Sequence, residues 1–137
     1  MSKYEQLIAK ILTKNKIKFQ QEKSFNDLKN GILKFDFYLP NFNGAPVIIE
    51  VDGQQHFKIV KAFQQNQLSL NKQQGYDRRK NSYCLANNIK LYRLPYWDFD
   101  NNRIKNLSDI FLEKNLVKSK WHNTDLWEKY KKEYSIE

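Results

Sequence analysis

The sequence predicts a mixed α/β domain in which a small sheet is flanked by helices. Three observations favour this class: an apolar stripe at helical spacing near the start, two adjacent strand-like runs after it, and a long helical pattern followed by another strand. The chain has 137 residues, which suits one domain, since domains usually have about 100–150 residues. Its 9 Phe, 8 Tyr and 3 Trp can form an ordinary core.

The first predicted element is a helix that begins after Ser2. Ser2 followed by Glu5 is a capping-box pattern, in which side chain and backbone pair reciprocally at a helix start. Asn15 is expected to end this helix, and a short extended piece then begins at Ile17, before a polar loop through Asn30-Gly31. The apolar stripe consists of Tyr4, Leu7, Ile8, Ile11 and Leu12.

The middle of the chain predicts an antiparallel hairpin. Leu33, Phe35, Phe37 and Leu39 alternate with polar residues, which is the period of a strand. Residues 47–51 form a β-branched run typical of a buried strand. The connection over residues 40–46 is short, with Asn43-Gly44 as its expected tip, so the two strands should pair antiparallel.

The second half predicts two further helices, one strand and a C-terminal extension. Residues 57–74 should be a loop that becomes helical near Gln67, and the helix over 76–86 should stop at Asn87-Asn88. A strand follows over 90–94 and a helix over 103–114. We assign residues 1–116 to the domain and 117–137 to a helical extension, with a last helix over 125–134 capped by Thr124.

Composition narrows the class of function. The formal net charge of +9 favours a polyanion partner, because neutralising phosphates releases counterions. A lysine-rich proteome would give the same excess. Cys84 is the single cysteine, so no intrachain disulfide can form. No apolar signal core follows Met1–Glu5 and no run approaches the ~20 residues of a membrane span, so we expect an intracellular, cytoplasmic protein with no membrane partner.

Acidic residues interrupt both strands of the predicted hairpin. Asp36 lies in the first strand, and Glu50 and Asp52 share one face of the second. Counting back through the turn places Asp36 opposite Glu50. Such carboxylates would repel one another and suffer desolvation, and a divalent cation such as Mg²⁺ relieves both. The alternative is that each acid pairs with one of the many Lys or Arg side chains.

Other polar residues are weaker candidates by themselves. His56 follows the acidic strand and could act as a general base or support a leaving oxygen, whereas a lone histidine usually packs or lies at the surface. Asp77 and Lys80 share a helix face, which taken alone indicates a solvated charged helix. Glu5 has its local capping role, yet it also lies at the edge of the apolar stripe.

Four segments together resemble the PD-(D/E)xK nuclease superfamily. The closest likeness is to the branch related to very-short-patch mismatch-repair endonucleases and phage EDxHD homing endonucleases, and it covers residues 2–112. The segments are Phe35-Asp36-Phe37-Tyr38-Leu39-Pro40, Ile49-Glu50-Val51-Asp52-Gly53-Gln54-Gln55-His56-Phe57, Asp77-Arg78-Arg79-Lys80-Asn81 and Asn88-Ile89-Lys90-Leu91-Tyr92-Arg93-Leu94-Pro95-Tyr96.

The resemblance implies a restriction-endonuclease-like core and a Mg²⁺ site, with Mn²⁺ able to substitute. Asp36 matches the first metal-binding aspartate, Glu50 the acidic position of the (D/E)xK element, and the carbonyl of Val51 the backbone ligand. Asp52 stands where many members carry lysine, so the protonation steps need other groups. The remaining candidate catalytic residues are Glu5, His56, Asp77 and Lys80.

The implied activity is metal-dependent hydrolysis of phosphodiester bonds in DNA by a homing-like or nicking endonuclease. A structure-specific or repair nuclease acting on branched or mismatched DNA, or a catalytically inactive DNA-binding module, would share the fold. Phages and viruses encode several of the similar enzymes, and either a monomer or a homodimer fits the sequence. Residues expected to contact DNA are Lys34, Gln54, Gln55, Arg78 and Arg79.

Overall fold

Four strands form one mixed sheet with helices on both faces. The structure is a computed structural model, which describes residues 1–60 and 66–122. The sheet and its helices confirm the predicted mixed α/β class. The predicted helix over 125–134 lies outside the described residues. The helices and strands are α1 (Lys3–Lys14), β1 (Gln20–Ser24), β2 (Lys34–Phe42), β3 (Ala45–Asp52), α2 (Gln67–Ala86), β4 (Lys90–Pro95), α3 (Tyr96–Asp100) and α4 (Leu107–Ile110).

The strand order is β1-β2-β3-β4. β1 pairs antiparallel with β2, and β2 pairs antiparallel with β3, so the predicted hairpin is confirmed. β4 pairs parallel with β3, because α2 carries the chain across one face between them. The hairpin strands reach further than predicted and leave only Asn43-Gly44 as the turn, where φ is +54° and +88°.

Helix α1 packs on one face of the sheet. The capping box is present, since Ser2 Oγ accepts from the Glu5 amide and Glu5 Oε1 accepts from the Ser2 amide. Ile8 and Leu12 are fully buried against the inward side chains of β2 and β3, such as Phe37 and Ile49. Asn15 caps the end of the helix as predicted.

Helix α2 covers the opposite face of the sheet. It begins at Gln67 and ends at Ala86, close to the predicted start and stop, and Asn88 adopts the expected left-handed conformation. Its inward face is unusual because three polar residues, Asp77, Lys80 and Asn81, are buried beside Leu70 and Cys84. These polar residues face the end of β3. Within the described residues, no helix combines the length and apolar character needed to cross a membrane.

The helix predicted over residues 103–114 is wrong. Residues 96–100 form α3 instead, and the predicted range contains the single turn of α4 and the start of a 3-10 turn over Glu113–Asn115. Side chains explain the difference, because Asp109 accepts from the Lys105 and Asn106 amides and so starts a helix late. Asn115 Nδ2 then donates to the carbonyl of Ile110, which a longer helix would need for its own backbone.

Candidate active site

A cleft of about 590 Å³ opens where β3 ends, between α1 and α2. The 3-10 turn Gln54–His56 forms part of its wall. Five of the predicted catalytic residues line this cleft: Glu5, Asp36, Glu50, His56 and Lys80. The cleft also includes the predicted ligand Val51 and the predicted contacts Gln54 and Gln55.

Asp36 and Glu50 face each other across β2 and β3, as the sequence predicted. The backbone pairing of these strands includes Phe37 opposite Ile49, which places Asp36 opposite Glu50 at the next position. There the Asp36 amide donates to Glu50 Oε1 at 2.7 Å, and the Val51 amide donates to Asp36 Oδ2 at 2.8 Å. The two carboxylates therefore satisfy the last amides of the hairpin and are fixed in place by them.

Glu5, Glu22 and Asp36 form an acidic cluster at the cleft. One carboxylate oxygen of each residue lies within 4.8 Å of the other two. Glu22 comes from β1, where the pairs Gln21–Phe37 and Lys23–Phe35 place it opposite Asp36. Its φ of +56° is a left-handed conformation inside a strand, which costs energy in a residue other than glycine. Sequence reasoning missed Glu22, since nothing local in a polar segment indicates this conformation.

The surroundings of the Asp36 carboxyl group disfavour its ionised form. Burial is the main cause and the neighbouring Glu50 carboxylate adds to it, and together they raise the pKa of Asp36 to about 8. Glu5 contributes in the same direction. Oxygen ligands from three carboxylates suit a hard divalent cation such as Mg²⁺, which would also offset this repulsion. The side chains therefore fit the cation that the resemblance implies.

Lys80 pairs with the second carboxylate of the hairpin. Its Nζ lies 3.2 Å from Glu50 Oε2, and both side chains are buried. Burial alone would lower the pKa of Lys80, but the carboxylates of Glu50, Asp36 and Asp77 together outweigh it and the pKa is raised. Lys80 is thus a charged ammonium group at the cleft. Asp52 stands at the strand position for which the resemblance implies a lysine, and here a lysine from α2 reaches Glu50 instead.

His56 lines the cleft and is held from behind by two carboxylates. Its Nδ1 lies 2.8 Å from Asp77 Oδ2 and 3.6 Å from Asp52 Oδ1. Burial alone would lower the pKa of His56, but these two carboxylates outweigh it and raise the pKa to about 9. Burial opposes the charge on Asp77 too, and there Arg93 and His56 prevail and lower its pKa to about 2. The imidazole is therefore protonated at neutral pH.

Arg93 holds the two carboxylates behind His56. This side chain is fully buried, and its Nη1 lies 2.7 Å from Asp52 Oδ1 and 3.7 Å from Asp77 Oδ1. Its Nε donates to Asn81 Oδ1 at 2.7 Å. Asp52 is 1% exposed and does not line the cleft. It pairs with Arg93, which agrees with the alternative prediction that each acid pairs with a Lys or Arg side chain. Arg93 was not predicted as a site residue, although it interrupts the buried strand between Leu91 and Leu94.

The remaining predicted contacts lie elsewhere on the molecule. Lys34 is exposed at the start of β2. Arg78 and Arg79 line a second groove on another side of α2, and neither lines the cleft. Two tryptophans near these elements differ in exposure, since Trp97 is buried whereas Trp121 is 48% exposed.

A comparison with curated proteins gives a partial match. Uncharacterized protein 307L of Invertebrate iridescent virus 6 is 34% identical over 70 residues. These residues make up 50% of this chain and 34% of that protein, so the chain spans about a third of the length of the relative. No family model matches the chain, and no solved structure matches it.

Proposed function

We propose that this protein is a metal-dependent endonuclease that hydrolyses phosphodiester bonds in DNA at the cleft between α1 and α2. The observation that carries the proposal is the acidic cluster of Glu5, Glu22 and Asp36, whose carboxylate oxygens lie within 4.8 Å of one another. Two cationic side chains, Lys80 and His56, line the same cleft. Carboxylates for a cation beside donors for a phosphate are the groups that this hydrolysis needs.

The acidic cluster would hold Mg²⁺ or Mn²⁺. Such a cation, when bound, polarises a phosphate oxygen and lowers the pKa of water. Asp36 is the central ligand in this proposal, because its neighbours on α1, β1 and β3 are all acidic. Glu50 and the carbonyl of Val51, the other ligands implied by the resemblance, border the same cleft. The amides of Asp36 and Val51 orient the carboxylates before any cation arrives.

Lys80 and His56 would act on the substrate as cations. Lys80 can donate to a phosphate oxygen while Glu50 keeps its ammonium group in position. His56 is protonated up to about pH 9, so it is suited to donate a proton to the leaving oxygen. A role as general base, also expected from the sequence, is disfavoured by that pKa. Asp77 and Asp52 act through His56, and Arg93 positions both.

The substrate in this proposal is DNA, since a net charge of +9 favours a polyanion and the likeness to DNA nucleases covers most of the chain. The helix, hairpin and crossover around the cleft support the restriction-endonuclease-like core that the resemblance implies. A homing-like or nicking enzyme and a structure-specific or repair nuclease share this chemistry. The iridescent-virus relative is compatible with a phage or viral origin.

Supercoiled plasmid incubated with Mg²⁺, with Mn²⁺ or with EDTA tests the proposal. The wild-type protein should nick or linearise the plasmid in both metals and leave it intact in EDTA. Glu22→Gln should lose at least about tenfold in rate, whereas Glu113→Gln, which changes an exposed acid, should cut like wild type. DNA binding without cleavage in either metal would support the inactive binding module instead.

A further inference from the structure

A second groove, of about 720 Å³, lies on the outer side of α2. Among the residues that the structure describes, its lining includes four cationic side chains, Lys72, Arg78, Arg79 and Lys120, and no acidic one. The rings of Tyr76 and Tyr83 form part of its surface. We call this feature the outer groove. Its residues have no role in the activity proposed for the cleft.

The outer groove and the cleft are separate sites. Among the described residues, they share no lining residue. Gln73 and Lys80 of α2 line the cleft, whereas Lys72, Tyr76 and Arg79 of the same helix line the outer groove. A ligand in the outer groove therefore contacts other side chains than a ligand in the cleft does.

The four cations of the outer groove are available to an anion. Within residues 1–60 and 66–122, no carboxylate lies within salt-bridge distance of Lys72, Arg78, Arg79 or Lys120. Asp27 lies beside the groove, where its Oδ1 accepts a hydrogen bond from the Tyr83 hydroxyl at 2.7 Å. Lys29 adds a further cation, with its Nζ 3.0 Å from the Tyr76 hydroxyl.

An exposed indole stands at the rim of the outer groove. Trp121 is 48% exposed, and the Arg78 guanidinium and the Lys120 ammonium each lie 5.1 Å from its ring centroid. An exposed tryptophan leaves a large apolar face in water, and the flanking cations orient it beside the positively charged surface. Aromatic faces interleaved with cations suit a ligand that carries both flat rings and phosphates.

We propose that the outer groove binds single-stranded nucleic acid, with the backbone phosphates along the four cations and a base stacked on Trp121. A single strand fits better than a duplex, because a duplex keeps its bases stacked internally and offers only phosphates to such a surface. One consequence rests on the proposed nuclease function. The substrate would then be DNA with an unpaired segment, and its scissile part would lie in the cleft.

Fluorescence anisotropy with labelled oligonucleotides tests the outer groove. The full chain is titrated, in EDTA so that no cutting occurs, into a 20-nucleotide oligo(dT), an oligo(rU) of the same length and a 20-base-pair duplex. We expect the oligo(dT) to bind at least about fivefold more tightly than the duplex. The oligo(rU) should also bind more tightly than the duplex, because its bases too are free to stack on the indole.

Variants localise the binding. Trp121→Ala and the double change Arg78→Gln/Arg79→Gln should each weaken binding of oligo(dT) about tenfold. The matched control Lys10→Gln/Lys14→Gln removes the same charge from exposed positions of α1 and should stay within twofold of wild type. Because every titration is done in EDTA, where the proposed nuclease cannot cut, this result is independent of the nuclease proposal. Tighter binding of the duplex, or equal losses in the groove and control variants, would overturn the inference.

Discussion

Asp36 and Glu50 are tied to each other through the backbone of the opposite strand. The Asp36 amide donates to Glu50 Oε1 at 2.7 Å, and Asp36 Oδ2 accepts from the Val51 amide at 2.8 Å. Each carboxylate thus takes the place of a carbonyl at the end of the hairpin pairing. Truncation of either side chain would leave an amide without its acceptor, so the conservative amides Asp36→Asn and Glu50→Gln are the informative changes.

The first prediction concerns metal and stability. The folded-state pKa of Asp36, about 8, lies above its ordinary value of 3.8, so the folded protein binds this proton more tightly than the unfolded chain does. This group therefore makes the free energy of unfolding fall as pH rises from about 4 to about 8. Asp36→Asn should melt on the order of 5 °C higher than wild type in EDTA at pH 8.

Thermal denaturation with and without Mg²⁺ checks that prediction. Mg²⁺ should stabilise the wild-type protein at pH 8 and should leave Asp36→Asn nearly unchanged, because the variant has lost the central ligand. Glu113→Gln serves as the control for removal of an acidic charge at an exposed site. A lower melting temperature for Asp36→Asn in EDTA would show that Asp36 is stabilising in the absence of a cation.

The second prediction concerns the protonation of His56. With a pKa raised to about 9, His56 donates at neutral pH, so at saturating Mg²⁺ the cleavage rate should hold up to about pH 9 and fall beyond it. His56→Gln should be about 100-fold slower and should lack that fall. A pH–rate profile from pH 6 to pH 10.5 distinguishes a general acid from a general base at His56. A wild-type rate that rises with pH, with a midpoint near 6.5, would indicate that His56 acts as a base.

His56 also affects stability, and the expected direction follows from the same shift. Its folded-state pKa lies above the ordinary value of 6.5, so its contribution is fully present below about pH 6.5 and is lost as pH rises through about 9. Urea unfolding of wild type and His56→Gln at pH 6 and pH 10 should show a larger difference between the two proteins at pH 6. An equal difference at both pH values would contradict the ion pairing with Asp77 and Asp52.

The third prediction separates the structural and chemical roles of Lys80. Lys80→Met should destabilise the protein by about 3 kcal/mol, because it leaves Glu50 buried without its cation. The double variant Glu50→Gln/Lys80→Met should recover much of that loss, yet it should cut DNA more slowly than Glu50→Gln alone, because it also lacks the ammonium group. Urea unfolding and single-turnover cleavage measure the two effects. Equal cleavage rates for the double variant and Glu50→Gln would remove Lys80 from the chemistry.

The fourth prediction concerns Arg93. Arg93→Met should lower the free energy of unfolding by about 3–5 kcal/mol, since Asp52 and Asp77 would lose a buried cation. Arg103→Met is the matched control, because Arg103 is 42% exposed, lies 3.6 Å from Asp98, and should cost less than about 1 kcal/mol. Urea unfolding compares the two variants. Equal losses would mean that the buried network adds no more than a surface pair.

Local signals were sufficient for several parts of this molecule. The capping box at Ser2 and Glu5 and the turn at Asn43-Gly44 depend on residues a few positions apart, so the sequence predicts them well. The same holds for Asp36 opposite Glu50, because a short turn fixes the register of a hairpin. These features define the hairpin wall of the cleft.

Long-range contacts and side-chain hydrogen bonds to the backbone account for what the sequence did not predict. Glu22 reaches the acidic cluster only because β1 pairs with β2 and a left-handed residue turns its side chain. Arg93 pairs with Asp52, which is 41 positions away in the chain. The helix predicted over 103–114 does not form, because side-chain hydrogen bonds of Asp109 and Asn115 replace the helical backbone bonds. The apolar periodicity of the sequence does not reveal these hydrogen bonds.

The most direct test of the central claim is the rate at which wild type and Asp36→Asn nick supercoiled plasmid in Mg²⁺. The variant keeps an acceptor for the Val51 amide and is expected to be folded at least as stably as wild type, so a loss of activity cannot be attributed to unfolding. A nuclease centred on Asp36 predicts at least a 100-fold lower rate for the variant. Equal rates would contradict the assignment.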